Sequence, residues 1–221
     1  MTAAKHTVLG ITGTISSGKS LVGKILARQG IAVIDTDQVV HELLSSDEAT
    51  KKSILDQFGA AVFAASPCQG EPLPPIDRKA LGALVFSDPQ KRRNLEAILH
   101  PNVILNCRKR VKDLSESGSS SRFPLVAILV PLLFEAKLEK EYDEIWSVFT
   151  EESVLRQRLS ERDKLSQAEI ENRLAAQLPQ SEKARRAGQV IDNSGTPDET
   201  ERQVNLLLEK MFPAGKPQTL S

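Results

Sequence analysis

The sequence has few aromatic residues and few cysteines. Phe, Trp and Tyr together account for 4% of its 221 residues. A hydrophobic core must therefore consist mainly of Leu, Ile, Val and Ala, a mixture that suits helices packed on a parallel sheet. Cys68 and Cys107 are the two cysteines, and their spacing matches neither a metal-binding motif nor a disulfide framework. This usage indicates a reducing compartment.

Net charge and long apolar runs are missing as well. Lys plus Arg and Asp plus Glu both number 29, so no overall field attracts nucleic acid or an anionic membrane. The longest apolar run, residues 125–134, contains Pro131 and is shorter than the roughly 20 residues that a membrane helix needs. The apolar stretch at residues 8–11 is too short for a secretory signal. We expect a soluble cytoplasmic protein without nucleic-acid or membrane partners. No heptad seam or exposed apolar stripe indicates an oligomeric state, and a monomer is favoured.

Short apolar runs alternate with helical patterns, which predicts an α/β fold. The predicted strands are residues 7–11, 32–34, 125–130, 145–149 and 190–191. The predicted helical segments are residues 19–29, 37–115, 152–162, 166–176 and 197–212. Ser166 with Glu169 and Thr196 with Glu199 form capping boxes that mark two of the helix starts. The first strand, helix and second strand form a βαβ unit, which predicts parallel strands.

A phosphate-binding pattern follows the first strand. Residues 13–20 fit G-x-x-x-x-G-K-S/T and lie between a predicted strand and a predicted helix. Successive backbone N–H groups of such a loop form a concave anion site, whereas the alternative is an ordinary glycine loop. Lys19 is expected to bridge the outer phosphates, and the Ser20 hydroxyl is expected to bind Mg²⁺. We predict that ATP with Mg²⁺ is bound by Gly13, Thr14, Ile15, Ser16, Ser17, Gly18, Lys19, Ser20 and Leu21.

The loop alone does not distinguish a kinase from a GTPase or a mechanical ATPase. The guanine-reading pattern N-K-x-D is absent from the sequence, and a D-x-x-G match at residues 56–59 falls in a helical stretch. A Walker B strand ending in an acidic pair is absent too, because the strand at residues 125–130 runs into Pro131. These absences favour a small-molecule kinase. A nucleotide-dependent switch or binding protein is the competing class.

Two further pairs of residues are candidates for chemistry. Asp35 and Asp37 follow the second strand, where an extended backbone would point both carboxylates to one side, at the sheet edge that binds ligands. One could accept the proton of an attacking hydroxyl and the other could hold Mg²⁺ through water, whereas the alternative is a turn cap or helix N-cap. Arg158 and Arg162 share one helix face and could close over the transferred phosphoryl group. The alternative for them is a solvated basic face.

An ordered series of motifs along the chain resembles the dephospho-coenzyme A kinase family, whose members catalyse the last step of coenzyme A synthesis. The series covers residues 8–212. Its parts are Gly10-Ile11-Thr12-Gly13, Ser17-Gly18-Lys19-Ser20, Asp35-Thr36-Asp37 with His41, Asp77-Arg78-Lys79-Ala80-Leu81, Val85-Phe86, Leu95-Glu96 with His100-Pro101, Pro131-Leu132-Leu133-Phe134-Glu135, Arg158 with Arg162-Asp163, Arg173 with Gln177, and Ile191-Asp192-Asn193-Ser194-Gly195.

The resemblance implies roles for these residues. It implies that Asp37 activates the ribose 3′-hydroxyl of dephospho-coenzyme A, that Asp35 supports it, and that Arg158 and Arg162 are lid residues over the phosphates. Asn193 is implied as an adenine-side contact. The implied acceptor-binding residues are Asp35, Asp37, His41, Arg78, His100, Pro131, Leu132 and Leu133. Another small hydroxyl or phosphate acceptor, such as a nucleoside monophosphate, is the alternative substrate.

The resemblance also implies an architecture. It is a P-loop kinase core with a parallel five-stranded sheet flanked by helices, an inserted helical substrate-binding region and a helical lid. The core is placed at residues 1–40, 122–150 and 186–213, the inserted region at 41–121, the lid at 151–185 and a disordered tail at 214–221. Thr14 and Ser16 stand where the family usually has glycine, so a positive φ at either position would be unfavourable.

Overall fold

The computed structural model describes residues 6–66, 68, 70–86, 88–116 and 123–213, without the side chains of residues 162 and 163. The tail at residues 214–221, predicted to be disordered, and most of the Ser/Gly linker near residue 118 lie outside the described residues. The elements in chain order are β1 (Thr7–Thr12), α1 (Lys19–Arg28), β2 (Ala32–Asp35), α2 (Thr36–Ser46), α3 (Glu48–Phe58), α4 (Arg78–Phe86), α5 (Pro89–Glu116), β3 (Leu125–Leu129), β4 (Glu144–Phe149), α6 (Glu152–Asp163), α7 (Gln167–Ala175), α8 (Gln180–Arg186), β5 (Gln189–Asp192) and α9 (Pro197–Met211).

The strands form one five-stranded sheet in the order β2-β3-β1-β4-β5. β1 pairs in parallel with both β3 and β4, and β4 pairs in parallel with β5. β1 is therefore the central strand, and the loop that follows it emerges at the carboxyl edge of the sheet, where ligands bind in open α/β folds. The predicted α/β fold with a parallel five-stranded sheet is confirmed.

Local sequence signals account for several helix boundaries. Both predicted capping boxes are present, Ser166 with Glu169 before α7 and Thr196 with Glu199 before α9. In each, the hydroxyl accepts from a backbone N–H while the glutamate accepts from the cap residue. α1 ends just before Gly30, whose φ of 79° is the left-handed conformation that glycine adopts readily. The helix starts and the first helix stop thus follow from short-range chemistry.

The chain divides into two compact units. One holds the described residues up to Ile34 and from Leu114 onward, and the other is Asp35–Asp113. The core of the first unit lies between the sheet and the pair α1 and α9, and consists of aliphatic residues together with Trp146 and Phe123. The second unit has its own core, centred on Ile54 and Leu81. Each unit therefore has the apolar interior that a compact fold requires.

In the described part of the chain, no helix is both long enough and apolar enough to cross a bilayer.

Candidate active site

The phosphate loop occupies residues 13–20, between β1 and α1 as predicted. Its backbone turns through positive φ at three positions, Gly13 at 151°, Ser16 at 60° and Gly18 at 99°. Ser17 N donates to the Thr14 carbonyl at 3.2 Å and closes a tight turn inside the loop. This sharp reversal leads directly into the first turn of α1, whose N–H groups lack partners within the helix.

Ser16 is the strained residue of this loop. A non-glycine residue in the left-handed region is disfavoured by about 1–2 kcal/mol. Thr14 does not have a positive φ, so the concern raised by its branched side chain does not apply to its backbone. Of the two departures from glycine, the structure therefore places the conformational strain at Ser16.

Lys19 lies at the start of α1 and turns its ammonium group back toward the loop. Its Nζ donates to the carbonyls of Gly13 and Thr14, both at 2.8 Å. These bonds connect the last part of the loop to its beginning. They also place a positive charge at the loop, the group that a triphosphate requires there.

The candidate Mg²⁺ ligand on the loop is Ser20. Its side chain is exposed in the first turn of α1, so its hydroxyl oxygen is available to a cation. Within the described residues no group of three or more His, Cys, Asp or Glu side chains forms a metal site. Mg²⁺ typically binds through one or two protein ligands together with substrate phosphates and water, and a single hydroxyl on the phosphate loop fits that chemistry.

A buried brace lies behind the loop. The Ser17 carbonyl accepts one hydrogen bond from Asn193 Nδ2 and one from Thr150 Oγ1, both at 2.8 Å. Asn193 is 2% exposed, and its Oδ1 accepts from Thr200 Oγ1 at 2.8 Å. A Cβ on Gly18 would lie 1.8 Å from Asn193 Nδ2, so glycine is required there by close packing as well as by its φ.

This brace uses both polar atoms of the Asn193 side chain. The residue was expected at the adenine, but both polar ends of its side chain are bonded to Ser17 and Thr200 inside the protein. Thr150 and Thr200 were not identified from the sequence. The available signal for Thr150 was its position directly after β4, at the carboxyl end of a central strand.

Arg158 is connected to the same brace. It lies on α6, and its guanidinium donates to the Asn193 carbonyl at 2.9 Å and to Thr150 Oγ1 at 3.4 Å. The neighbouring Arg156 instead pairs with Glu152 and Glu171 at the surface. Arg158 is therefore not part of a fully solvated basic face. Arg162 lies on α6 too, but its side chain is outside the described part of the chain.

Gln177 reaches the phosphate loop from the segment after α7. Its Oε1 accepts from Ile15 N at 3.0 Å, and the Ile15 side chain packs against the cluster of Leu155, Leu159 and Ile170. One loop amide is thus occupied by a protein side chain. Gln177 is one of the residues that resemble the family, but the resemblance assigns no role to it. The local sequence pattern does not predict the contact of Gln177 with the loop.

The segment after β3 is held by a buried ion pair. Lys183 is fully buried on α8, and its Nζ lies 2.8 Å from Glu135 Oε1 and 2.8 Å from the Pro131 carbonyl. Glu135 Oε1 also accepts from Leu178 N at 2.9 Å. Burial lowers the pKa of Lys183, while the bond to Glu135 acts in the opposite direction. The sequence did not identify Lys183 as important.

The side chains of the predicted acceptor segment, residues 131–133, differ in solvent exposure. Leu132 is 40% exposed, whereas Leu133 is fully buried. A Cβ on Gly10 would lie 2.8 Å from Leu133 Cδ1, which shows that Leu133 packs directly on β1. The Leu133 side chain is therefore part of the core, while the contact of this position with the acceptor stays a prediction. Pro131 contributes a carbonyl that also accepts from Thr12 Oγ1 at 3.3 Å.

The remaining acceptor candidates belong to the second unit. β2 ends at Asp35, which caps α2 by accepting from Asp37 N at 2.9 Å. The expectation of an extended backbone with both carboxylates on one side is therefore wrong, because the helix starts at Thr36. Asp37 is exposed in the first turn of α2, and His41 follows one turn later.

His41 is paired with Arg78 of α4. The guanidinium nitrogen Nη1 lies 3.2 Å from His41 Nδ1. Because a guanidinium can only donate, Nδ1 must accept, which leaves Nε2 as the N–H donor of the ring. His100 is half-buried on α5, directly before Pro101, which lies inside that helix.

Comparison with known proteins identifies the family. Residues 7–199 match the profile described as Dephospho-CoA kinase. The chain is 40% identical over 206 residues to the Dephospho-CoA kinase of Geobacter sulfurreducens, covering 93% of this chain and 99% of that protein. It is 41% identical over 197 residues to the Dephospho-CoA kinase of Symbiobacterium thermophilum, covering 89% of this chain and 78% of that protein.

Solved structures agree in fold. A crystal structure from Thermus thermophilus superposes with a TM-score of 0.75 at 32% identity, covering 95% of this chain and all of that one. The Dephospho-CoA kinase from Campylobacter jejuni superposes with a TM-score of 0.65 at 22% identity, covering 95% and 98% of the two chains. With a family profile that spans most of the sequence and relatives near 40% identity, the chain belongs to the dephospho-CoA kinase family.

Proposed function

We propose that this chain transfers the γ-phosphoryl group of ATP to the ribose 3′-hydroxyl of dephospho-CoA, giving CoA and ADP in the final step of CoA biosynthesis. The observation that carries the proposal is a phosphate loop between β1 and α1 in a chain of this family. In the reaction a bond forms between the 3′-oxygen and the γ-phosphorus. The bond from that phosphorus to the β-bridging oxygen breaks, and ADP leaves with the electron pair.

The nucleotide is held by the loop. Backbone N–H groups of residues 13–20 and the start of α1 bind the phosphates, and Lys19 adds a positive charge already directed at the loop. Ser20 would hold Mg²⁺, which when bound neutralises charge on the β- and γ-phosphate oxygens. Arg158 and Arg162 of α6 supply further positive charge for the transferred group. The contacts of Arg158 with Thr150 and Asn193 support this role, because they attach its helix to the loop brace.

The acceptor hydroxyl needs a base, and Asp37 is the better candidate of the two aspartates. The family resemblance implies Asp37, which is exposed in the first turn of α2, while Asp35 Oδ1 caps that helix. Asp37 takes the proton of the 3′-hydroxyl as the oxygen attacks. The resemblance also implies acceptor contacts for Asp35, His41, Arg78 and His100 in one unit and for residues 131–133 in the other.

The amino-acid composition supports a proposal for the oligomeric state, the compartment and the partners of the protein. A monomer in the cytoplasm, with ATP and dephospho-CoA as its partners and without nucleic acid, agrees with the zero formal charge and with two cysteines that are not joined to each other. Neither a basic surface nor a disulfide framework is required by this chemistry.

An acceptor screen tests the proposal. Coupled ADP release is measured with dephospho-CoA, a nucleoside monophosphate and a sugar acid as acceptors. Turnover is expected with dephospho-CoA. Turnover only with one of the other acceptors would reject the assignment.

The Asp37→Asn variant tests the base. A positioned general base contributes about 10²–10⁴ in rate, so kcat is expected to fall by that factor with little change in the KM for dephospho-CoA. Asp56→Asn is the matched control, because Asp56 is an exposed carboxylate of α3 in the same unit and forms an ion pair with Lys52 at 3.8 Å. Equal kcat values for the two variants would contradict the role of Asp37.

A further inference from the structure

The brace behind the phosphate loop fixes the orientation of one peptide group. The Ser17 carbonyl accepts two buried hydrogen bonds, from Asn193 Nδ2 and Thr150 Oγ1. In a planar trans peptide the C=O and the following N–H point in opposite directions. Because the carbonyl is held on the brace side, the Gly18 N–H is directed to the other side of the loop. The first N–H groups of α1 follow directly in the chain, and together with the Gly18 N–H they are the donors for an anion.

The donors of the brace are held in turn. Asn193 can donate to Ser17 only while its amide keeps one orientation, and Thr200 Oγ1 fixes that orientation by donating to Asn193 Oδ1 at 2.8 Å. Thr150 and Thr200 are both fully buried, so water does not compete for these bonds. Buried and mutually satisfied networks of this kind hold a unique geometry.

We propose that Asn193 and Thr150 are positioning residues that aim the Gly18 amide at the triphosphate, and that Asn193 does not read the base. The inference deepens the proposed function and rests on it, since it concerns the nucleotide side of the same site. It assigns the loop after β5 to phosphate binding through the brace. Donors fixed in advance bind an anion without reorganisation, which is why their support contributes to affinity.

The brace also explains why Arg158 is placed where it is. Its guanidinium donates to the Asn193 carbonyl and to Thr150 Oγ1, so the middle of α6 is attached to the groups that hold Ser17. A change in the brace therefore disturbs the loop and the lid arginine together. The effect should appear in phosphate affinity whatever base the nucleotide carries.

The test compares ligands that share phosphates and differ in the base. Calorimetric titration of the full chain with ATP, GTP and inorganic triphosphate, all with Mg²⁺, is performed for the wild type and for Asn193→Ala. Each affinity is expected to fall about 10-fold, which corresponds to about 1.4 kcal/mol, and by the same factor for all three ligands. A loss confined to ATP would identify Asn193 as a base reader and overturn the proposal.

Two isosteric variants keep the proposal testable should Asn193→Ala fold poorly. Thr150→Val removes the second donor to the Ser17 carbonyl together with an acceptor for Arg158. Thr200→Val removes the bond that orients Asn193 together with a 3.3 Å bond to the Thr196 carbonyl. Each variant is expected to lower the affinities for the three ligands by the same factor. That factor should be larger for Thr150→Val than for Thr200→Val. Unchanged affinities in all variants, with only a lower thermal midpoint of the free protein, would show a merely structural role and overturn the proposal. The titrations need no acceptor, so their outcome is independent of whether dephospho-CoA is the substrate.

Discussion

Replacing Lys183 by methionine should strongly destabilise the protein. The substitution leaves the chain length of the side chain nearly unchanged but removes the ammonium group that pairs with Glu135 and bonds the Pro131 carbonyl. Removing one partner of a buried ion pair costs about 3–5 kcal/mol, because the other charge stays buried without compensation. Glu135 is 20% exposed and keeps its bond from Leu178 N, so the lower end of that range, about 3 kcal/mol, applies here.

A cost of this size is readily measured. For a protein of 150–250 residues, each kcal/mol lowers the midpoint of thermal unfolding by about 2–4 °C, so Lys183→Met should lower it by about 6–12 °C. The double variant Lys183→Met with Glu135→Gln removes both charges and retains an acceptor for Leu178 N. It should recover at least half of the loss, because no unpaired charge remains.

The single variant Glu135→Gln separates charge from packing. Burial already lowers the pKa of Lys183, and without Glu135 that lowering is unopposed. The folded protein then binds fewer protons than the unfolded chain above the folded pKa, so stability should rise with pH toward the unfolded lysine pKa of 10.5. A Lys183→Met midpoint within 2 °C of the wild type, or a double variant less stable than Lys183→Met, would refute the reasoning.

Three further outcomes are expected. Ser16→Gly should stabilise the protein by about 0.5–1 kcal/mol in thermal unfolding, because removing the left-handed strain outweighs the added chain entropy, whereas Thr14→Gly should destabilise it. Burial raises the pKa of Glu144 above its ordinary value of 4.5. The protonated carboxyl therefore contributes to the free energy of unfolding below pH 4.5, and this contribution is lost as the pH rises through the raised pKa. Glu144→Gln should therefore be more stable relative to the wild type at pH 7 than at pH 4, in paired thermal melts, and a constant difference would contradict the assignment. Cys68 is exposed, while burial raises the pKa of Cys107 to about 11, so a thiol reagent should label Cys68 in the native protein and Cys107 only after denaturation.

The features that could be predicted from the sequence are those encoded locally. The phosphate loop, the five strands and the capping boxes before α7 and α9 each depend on residues a few positions apart. Such short patterns predict the same local structure largely independently of the rest of the chain. The strand ending at Asp35 marks the limit of this approach. An aspartate after a strand can stay extended or cap a helix, and the conformation of the residues that follow decides which. Here α2 begins with the next residue, so Asp35 caps it.

The features that could not be predicted depend on contacts between distant positions. The bond from Asn193 to Ser17 joins residues 176 positions apart, and the bond from Ile15 to Gln177 joins residues 162 apart. The local sequence carries no signal for such pairs. They form only when the folded sheet places the segments that follow its different strands next to one another. The same applies to Leu133, where an apolar residue in a predicted binding segment packs against β1. A motif identified the segment, but only burial separates Leu133 from the exposed Leu132.

The central claim is the transfer of phosphate to one particular hydroxyl. The most direct measurement is to incubate the full chain with ATP, Mg²⁺ and dephospho-CoA and to locate the added phosphate on the product by phosphorus–proton correlation NMR. The account predicts CoA as the single product, with the new phosphate on the ribose 3′-oxygen and one ADP released for each. Phosphate on any other oxygen, or ADP release without a phosphorylated product, would contradict it.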